Sequence, residues 1–359
     1  VKVNVLADHD EVINGNYLPT SYDADNKGRI TRWAAMAIKA KIYLFEGNWT
    51  QVKNITSTIM TEGGFKLFGS YAGLFEIANE YNSEVILDAQ YRPTSREHQM
   101  MYVFLPPTLG GYSQLSPLQE LVDSYIMLDG KTIKETGTSF DESHPYANRD
   151  PRLKATVMYT GNSYTLADGT EVVINCEKGE GKDGYGVGSD CSATGYYIKK
   201  YWDNTYRATL YSGLNPILIR YADILLMNAE ALAELGELDK TAWDATIKPI
   251  RDRAGFTLAS ALEFPEGASK DKLIEIVRNE RRSELALEGH RHKDIIRWRI
   301  ADNVLNGWCH GLKTNDVVGT DDGYVRVENR TFNANKHYLW PIPQAERDLN
   351  GNLEQNPNW

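Results

Sequence analysis

Long apolar runs are missing from this chain of 359 residues. No stretch approaches the ~20 consecutive apolar residues that a membrane-spanning helix requires. The first residues, VKVNVLADHD, also lack the basic and apolar regions of a secretory signal peptide. Apolar residues still make up 42% of the chain, which is enough for a substantial core. The sequence therefore predicts a globular fold without a membrane span of its own.

An excess of basic residues is missing too. Acidic residues number 49 and Lys plus Arg 39, so the formal net charge is −10. Nucleic-acid binding depends on a basic surface that neutralises phosphates, so DNA and RNA are excluded as expected partners. The sequence also contains no GxSxG, HExxH or Walker motif and no GxGxxG after a strand, so it offers no familiar catalytic signature.

Cysteine is scarce, with three residues and no CxxC pair. Cys176 and Cys191 flank a glycine-rich stretch, and a disulfide closing a loop of about 15 residues would contribute roughly 3 kcal/mol. A bridge and two unpaired thiols both remain open. We expect no metal site and no cofactor, because His290 and His292 lie among the cations Arg291, Lys293 and Arg297.

Two helical hairpins are predicted from apolar residues at helical spacing. They cover residues 28–62 and 219–256, and their first helices stop at Gly47 and Gly236. The apolar stripes of those first helices are Trp33, Ala37, Ala40 and Leu44, and Ala222, Leu226, Ala229 and Ala233. Alanine-rich stripes let paired helices approach closely, as in tetratricopeptide hairpins. We therefore predict a mainly α fold.

A loop-rich insertion at residues 82–215 separates the two hairpins. It contains many glycine and proline turns, with short strands predicted near 84–89 and 196–202 and a helix near 116–127. Long loops in a compact domain usually carry function. The insertion is therefore the expected ligand-binding region, and it holds many of the 21 tyrosines.

A charged helix is predicted at residues 270–300. The apolar stripe that begins at Leu273 and Val277 continues through Glu280 and Glu284, which should therefore point inward. A buried carboxylate needs a partner, so we predict an ion-paired clamp between helices. Its expected members are Glu280, Arg281, Arg282, Glu284 and Arg291.

An enzymatic interpretation of the same residues remains the alternative. Glycoside hydrolases use two carboxylates, about 5 Å apart in retaining enzymes and somewhat farther apart in inverting ones. A general acid needs a raised pKa, whereas neighbouring arginines favour the ionised carboxylate. We therefore expect Glu280 and Glu284 to be structural and the protein not to be an enzyme.

Several segments together resemble the SusD/RagB family of nutrient-binding outer-membrane lipoproteins. The strongest are ERRSELALEGHRHKDIIRW at 280–298, RYADILLMNAEAL at 220–232 and the C-terminal YLWPIPQAERDLNGNLEQNPNW at 338–359. Supporting segments include GRITRWAAMAIKAKIYLFEGNW at 28–49 and NSEVILDAQY at 82–91. The resemblance spans residues 28–359 and treats 1–359 as one domain.

The resemblance implies tetratricopeptide-like helix pairs that form a right-handed superhelical scaffold. It also implies a lipid-anchored protein on the outer face of the outer membrane that captures oligosaccharides without catalysis. Its partner would be a SusC-like TonB-dependent transporter, and capture of peptides, as in proteins of the RagB type, is the alternative. Family members carry a lipobox cysteine and further helices before the position of Gly28, so this chain resembles the family without its N-terminal portion.

The resemblance also places ligand contacts on the loops that follow the NSEVILDAQY strand. Sugar C–H faces pack on aromatic rings, and sugar hydroxyls pair with polar side chains. The candidate ligand residues in these loops are Tyr91, Arg92, Arg96, His98, Tyr102 and Tyr112. Trp202 and Tyr206, from a second aromatic cluster, complete the set, and we expect Tyr112 to be the most exposed.

Overall fold

The structure, a computed structural model, describes residues 2–15, 17–205, 209–314 and 321–359. Its helices are α1 (Lys2–Asn14), α2 (Arg32–Glu46), α3 (Trp49–Glu62), α4 (Met100–Phe104), α5 (Gln119–Ser124), α6 (Pro151–Thr156), α7 (Tyr221–Leu235), α8 (Lys240–Ala254), α9 (Ala259–Leu262), α10 (Lys270–Glu284), α11 (Arg291–Arg297), α12 (Ala301–Val304) and α13 (Gln344–Leu349). Its strands are β1 (Val85–Asp88), β2 (Val157–Met158), β3 (Ser163–Thr165), β4 (Glu171–Val173), β5 (Tyr197–Ile198), β6 (Ile217–Arg220), β7 (Gly307–Lys313) and β8 (Tyr324–Arg330). The predicted mainly α fold is confirmed. Within these residues, no helix combines the length and apolar character needed to cross a bilayer.

The two hairpins are the pairs α2–α3 and α7–α8. Thr31 caps α2, since its hydroxyl oxygen accepts a hydrogen bond from the Ala34 N–H at 3.2 Å. Helix α2 ends at Gly47 with a φ of 72°, and α7 ends at Gly236 with a φ of 75°. Glycine adopts this left-handed conformation without strain, so each helix stops where the chain must turn to its partner.

The hairpins pack directly on each other although the insertion separates them in sequence. Helix α3 lies against α7, and the Asn228 side-chain amide donates to the Thr56 hydroxyl at 2.9 Å across the contact. Ala37, Ala40 and Ala229 are fully buried, so the helix backbones approach closely. Helix α10 packs on the other side of α7 and α1 packs on α2. The helices therefore form one continuous core.

The insertion is tied to the helices at both of its ends. Strand β1 near its start pairs antiparallel with β6, which leads directly into α7. The other strand pairs are also two-stranded, namely β2–β5, β3–β4 and β7–β8. An aromatic core lies between these strand pairs, and Tyr164, Tyr196 and Tyr197 are buried in it. The strand predicted at 196–202 is much shorter than expected, because only Tyr197–Ile198 (β5) is a strand.

The charged helix predicted at 270–300 is two helices. Helix α10 ends at Glu284, and a turn with positive φ at Leu287 (63°) and Gly289 (78°) leads into α11. Leu287 leaves the apolar stripe and is 38% exposed. The prediction of one helix was wrong because the turn breaks the helix after Glu284, and Glu288 and Asp294 pair with the buried cations Arg220 and Arg281.

Candidate functional site

The inward carboxylates of α10 belong to a buried group of charges that we call the central ion-pair cluster. Glu284 lies 2.6 Å from Arg220 Nη1 and 2.8 Å from Arg152 Nη1, and it also pairs with Arg253. Glu280 lies 2.7 Å from Arg152 Nη1 and 2.7 Å from Arg251 Nε. These arginines come from α6, the end of β6 and α8, so α10 is held from three sides.

Charge is balanced within the central ion-pair cluster. Its five carboxylates are Glu84, Asp150, Glu280, Glu284 and Glu288, and its five cations are Arg152, Lys200, Arg220, Arg251 and Arg253. All ten side chains are at most 6% exposed. Moving isolated charges out of water costs several kcal/mol each, and only close partners offset that cost. These ten paired charges therefore serve to hold the fold together.

Three arginines expected in the clamp lie elsewhere. Arg281 points to the neighbouring side of α10, where it pairs with Asp223 at 2.6 Å and Asp294 at 2.9 Å. Arg282 donates to the backbone oxygen of Glu120, and Arg291 lies 5.9 Å from the centre of the Trp298 ring. Adjacent helix positions project about 100° apart, so 281 and 282 cannot share the face of 280 and 284.

The electrostatics of the cluster favour the ionised forms of Glu280 and Glu284. Burial alone would raise the pKa of Glu284, but Arg253, Arg220 and Arg152 outweigh it and hold the pKa well below its usual range. Burial is likewise outweighed at Glu280, whose pKa is lowered by Arg152 and Arg251. A general acid must carry a proton near neutral pH, and these carboxylates do not. The pair is suited to holding helices together.

Replacing Glu284 with glutamine should destabilise the fold strongly. The change leaves Arg152, Arg220 and Arg253 buried with one anion fewer, and breaking a buried pair typically costs about 3–5 kcal/mol. Urea denaturation measures the free energy of unfolding. The control is Glu275→Gln, whose side chain is 62% exposed beside Lys272; it should change that free energy by less than about 0.5 kcal/mol. Equal effects of the two changes would contradict the structural role.

Acid should weaken the cluster through Glu288. Burial would raise the pKa of this carboxyl, but Arg220 and Lys200 lower it from 4.5 to about 2. A depressed folded-state pKa contributes stability that is present above the unfolded value and is lost as pH falls toward the folded one. Between about pH 4.5 and pH 2, wild type should lose roughly 3 kcal/mol more unfolding free energy than Glu288→Gln. Parallel pH profiles of the two proteins would contradict this.

The predicted aromatic loop contains a pair of tyrosine rings in contact at the surface, tilted relative to each other. The Tyr102 and Tyr112 ring centroids are 4.3 Å apart with an interplanar angle of 32°, and Tyr112 is 39% exposed. The turn before Tyr112 depends on two glycines. Gly110 has a φ of 86°, and a Cβ on Gly111 would lie 2.1 Å from the Leu105 carbonyl oxygen. The backbone therefore holds Tyr112 beside Tyr102.

A second group in the same loop surrounds Tyr91. Its ring contacts His98 edge to face, with centroids 4.8 Å apart, and the Arg96 guanidinium lies 5.5 Å from its centre. Arg92 is exposed, and its N–H donates to the Arg96 backbone oxygen at 2.8 Å. Below it, a Cβ on Gly213 would lie 2.3 Å from the Pro93 nitrogen, so the 92–93 backbone is anchored closely.

The segment Tyr211–Ser212 lies beside both the Tyr91 group and the Tyr102–Tyr112 pair. His98 pairs with the backbone of Ser212, and Tyr211, which precedes Ser212, is 42% exposed. A side-chain hydrogen bond with Tyr112 raises the pKa of Tyr102, and the nearby Tyr211 raises it further. The structure thus brings Tyr91, Arg92, Arg96, Tyr102 and Tyr112 onto one stretch of surface, together with Tyr211, which the sequence prediction had left out.

Trp202, which was also a candidate, packs elsewhere. The Trp202 indole N–H donates to the Thr165 backbone oxygen at 2.9 Å, and its ring packs on Tyr164 with centroids 5.3 Å apart. Trp202 therefore braces the β3–β4 hairpin. Tyr206 lies outside the residues that the structure describes. Cys176 and Cys191 are both unpaired, and Cys176 is buried.

A cleft that the sequence prediction did not include lies between the insertion and the β7–β8 hairpin. Its volume is about 660 Å³, and the Phe and Tyr residues of its lining are Phe140, Tyr146, Tyr159, Tyr196 and Tyr324. The signal available in the sequence was a long loop at 138–149 that carries an aromatic residue near each end. Its partner hairpin is more than 150 residues away, so sequence spacing could not bring the two together.

Comparison with known proteins identifies the family. The model of the SusD family matches residues 74–359, so the chain belongs to the SusD family. This confirms the resemblance drawn from the motifs at 220–232, 280–298 and 338–359. The family match includes the whole central ion-pair cluster and the aromatic loop.

Individual relatives agree with this assignment. SusD-like protein P25 of Formosa agariphila is 28% identical over 313 residues, which are 80% of this chain and 54% of that protein. A SusD-like protein of Bacteroides ovatus is 24% identical over 326 residues, 84% of this chain and 53% of that protein. The chain thus spans about half the length of the curated relatives it matches.

Solved structures share the fold. A SusD-like carbohydrate binding protein from Bacteroides fragilis matches with a TM-score of 0.84 and 29% identity over 97% of this chain and 70% of that chain. Another SusD-like protein from the same species matches with a TM-score of 0.80 and 28% identity, over 99% of this chain and 70% of that chain. These similarities confirm the tetratricopeptide-like helical fold.

Proposed function

We propose that this protein captures glycans at the cell surface through the tyrosine-rich surface of residues 91–112. The observation that carries the proposal is the contact between the Tyr102 and Tyr112 rings, which a turn that requires Gly110 and Gly111 holds at the surface. Aromatic faces exposed beside polar groups suit the C–H faces and hydroxyls of sugars. Membership in the SusD family and the carbohydrate-binding relative from B. fragilis support it.

The charges around the tyrosine pair support a polar ligand. Arg92 and Arg96 are both exposed, and arginine donates paired hydrogen bonds to hydroxyl and carboxylate oxygens. The backbone that carries Arg92 packs closely on Gly213, where a Cβ would lie 2.3 Å from the Pro93 nitrogen. We propose residues 82–215 as the ligand-binding insertion of a single domain that covers the whole chain.

Truncating the tyrosine pair should weaken glycan binding. Loss of one stacking ring removes about 1 kcal/mol, which is roughly a fivefold loss of affinity. Affinity electrophoresis of Tyr112→Ala and Tyr102→Ala on candidate polysaccharides measures this as reduced retardation. The matched control is Tyr17→Ala, a tyrosine that is 68% exposed outside the loop. Unchanged retardation of both loop variants would reject the loop as the site.

We propose further that capture occurs without turnover. The two carboxylates that could have served a hydrolase, Glu280 and Glu284, are buried and paired with arginines. Incubation with a polysaccharide that the protein retards should therefore release no reducing ends above a protein-free blank. Release that rises with protein concentration would contradict this part of the proposal.

Delivery to a SusC-like TonB-dependent transporter at the outer membrane is the final part of the proposal, with a lipid anchor supplied by the longer protein. It is supported by membership in the SusD family. Co-purification of the full-length protein with a transporter barrel from detergent-solubilised outer membranes tests it. Binding of peptides in place of glycans in the same screens would favour the RagB-type alternative.

A further inference from the structure

The cleft beside the β7–β8 hairpin has the features of a second ligand site. It lies between loop 138–149, strand β2 and its following turn, and β7–β8, away from the residues assigned above. Its volume of about 660 Å³ falls within the range of roughly 300–1,000 Å³ that small-molecule sites occupy. The cleft is therefore large enough for two or three sugar rings.

Three tyrosines of the lining hold one another in place. Tyr146 and Tyr159 stack with centroids 4.0 Å apart and an interplanar angle of 18°. The Tyr146 hydroxyl lies 3.2 Å from the Tyr196 hydroxyl, which is buried. Rings whose orientation is set before binding offer a flat surface at little entropic cost.

A hydrogen-bond chain leads from these rings to a carboxylate in the cleft. The Tyr196 hydroxyl donates to Gln119 Oε1 at 2.5 Å, and Gln119 Nε2 donates to Asp123 Oδ1 at 2.7 Å. Asp123 Oδ2 receives no hydrogen bond from the residues that the structure describes. One oxygen of Asp123 is thus fixed in place while the other is available to a ligand.

The charge of the lining distinguishes the cleft from the tyrosine-rich surface. Its cations are already engaged, since Arg149 donates to the backbone oxygens of Val122, Tyr125 and Pro145, and Lys313 pairs with Glu142 at 3.1 Å. Asp123 and Glu177 form no ion pair within 4 Å in the described ranges, and Arg149, a lining cation whose charge reaches Asp123, already donates its hydrogen bonds to backbone oxygens. An anionic ligand would meet unpaired carboxylates, whereas a cationic group would be attracted to them.

We infer that this cleft binds an amine-bearing saccharide, such as a glucosamine oligomer, with its rings on the tyrosines and its ammonium group at Asp123. The inference rests on the proposed function, which supplies glycans as the class of ligand. It goes beyond that function because it assigns a second binding site. The tyrosine-rich surface carries the cations Arg92 and Arg96, so it is not expected to prefer an amine-bearing ligand.

Calorimetry with three trisaccharides tests the inference on the folded chain. The probes are β-1,4-linked glucosamine, the matching glucose trimer and a galacturonic acid trimer, at about pH 6, where the sugar amine is protonated and the carboxylates are ionised. The glucosamine trimer should bind most tightly and the galacturonic acid trimer most weakly. Equal affinities for all three, or no binding of the glucosamine trimer, would overturn the inference.

Single substitutions test whether the glucosamine trimer binds in the cleft. Asp123→Asn keeps the side-chain shape and should weaken the glucosamine trimer roughly tenfold, the factor that one charge-assisted hydrogen bond corresponds to. Glu177→Gln, at an exposed position with no risk to folding, should weaken it a few-fold. Glu180→Gln is the matched control, because it removes a charge from the exposed loop outside the cleft and should have no effect.

Tyr112→Ala separates the two proposals. It should leave the glucosamine trimer unaffected while reducing retention on polysaccharides. Loss of trimer binding in Tyr112→Ala, with no change in Asp123→Asn or Glu177→Gln, would overturn the second site and leave the first one intact. Unchanged polysaccharide retention in Tyr112→Ala, with weakened trimer binding in Asp123→Asn, would reject the first site and support the cleft.

Discussion

The central ion-pair cluster is the interaction on which the rest of the structure depends. It joins Arg152 of the insertion to Glu280 and Glu284 of α10, and Glu84 beside β1 to Arg220 and to Arg253 of α8. Buried charges are tolerated only when every one has a close partner, so no element can shift without stranding a charge. The insertion and the helices are therefore held in one arrangement, although they are far apart in sequence.

This rigidity extends to the long loops that carry the proposed binding surface. The segments that carry Tyr91 and Tyr112 have little regular structure, yet β1 fixes their start beside the cluster and glycine contacts fix their backbone at Gly111 and Gly213. For the proposed glycan site, a backbone held in this way would reduce the entropy lost on binding. The same cluster uses the most conspicuous acids of the chain for structure, which leaves recognition to aromatic and polar side chains elsewhere.

Much of the helical framework could be predicted from local patterns. Apolar spacing and the stop signals Gly47 and Gly236 located both hairpins, because a helix and its ends depend on neighbouring residues alone. The same periodicity placed Glu280 and Glu284 on the inward face. The prediction failed at residues 285–290, since Leu287 fits the stripe by spacing while the backbone has already turned.

Composition and periodicity alone determined that this chain is mainly helical and that two carboxylates of α10 face inward among arginines. Which arginines they meet was decided by tertiary structure, because Arg152 approaches Glu284 across 132 residues of chain, whereas Arg282 and Arg291 lie close in sequence but project away. Tertiary structure also decided the cleft between loop 138–149 and the β7–β8 hairpin, because these two segments are far apart in sequence. Periodicity records the direction in which a side chain points, but its partners depend on how distant segments pack.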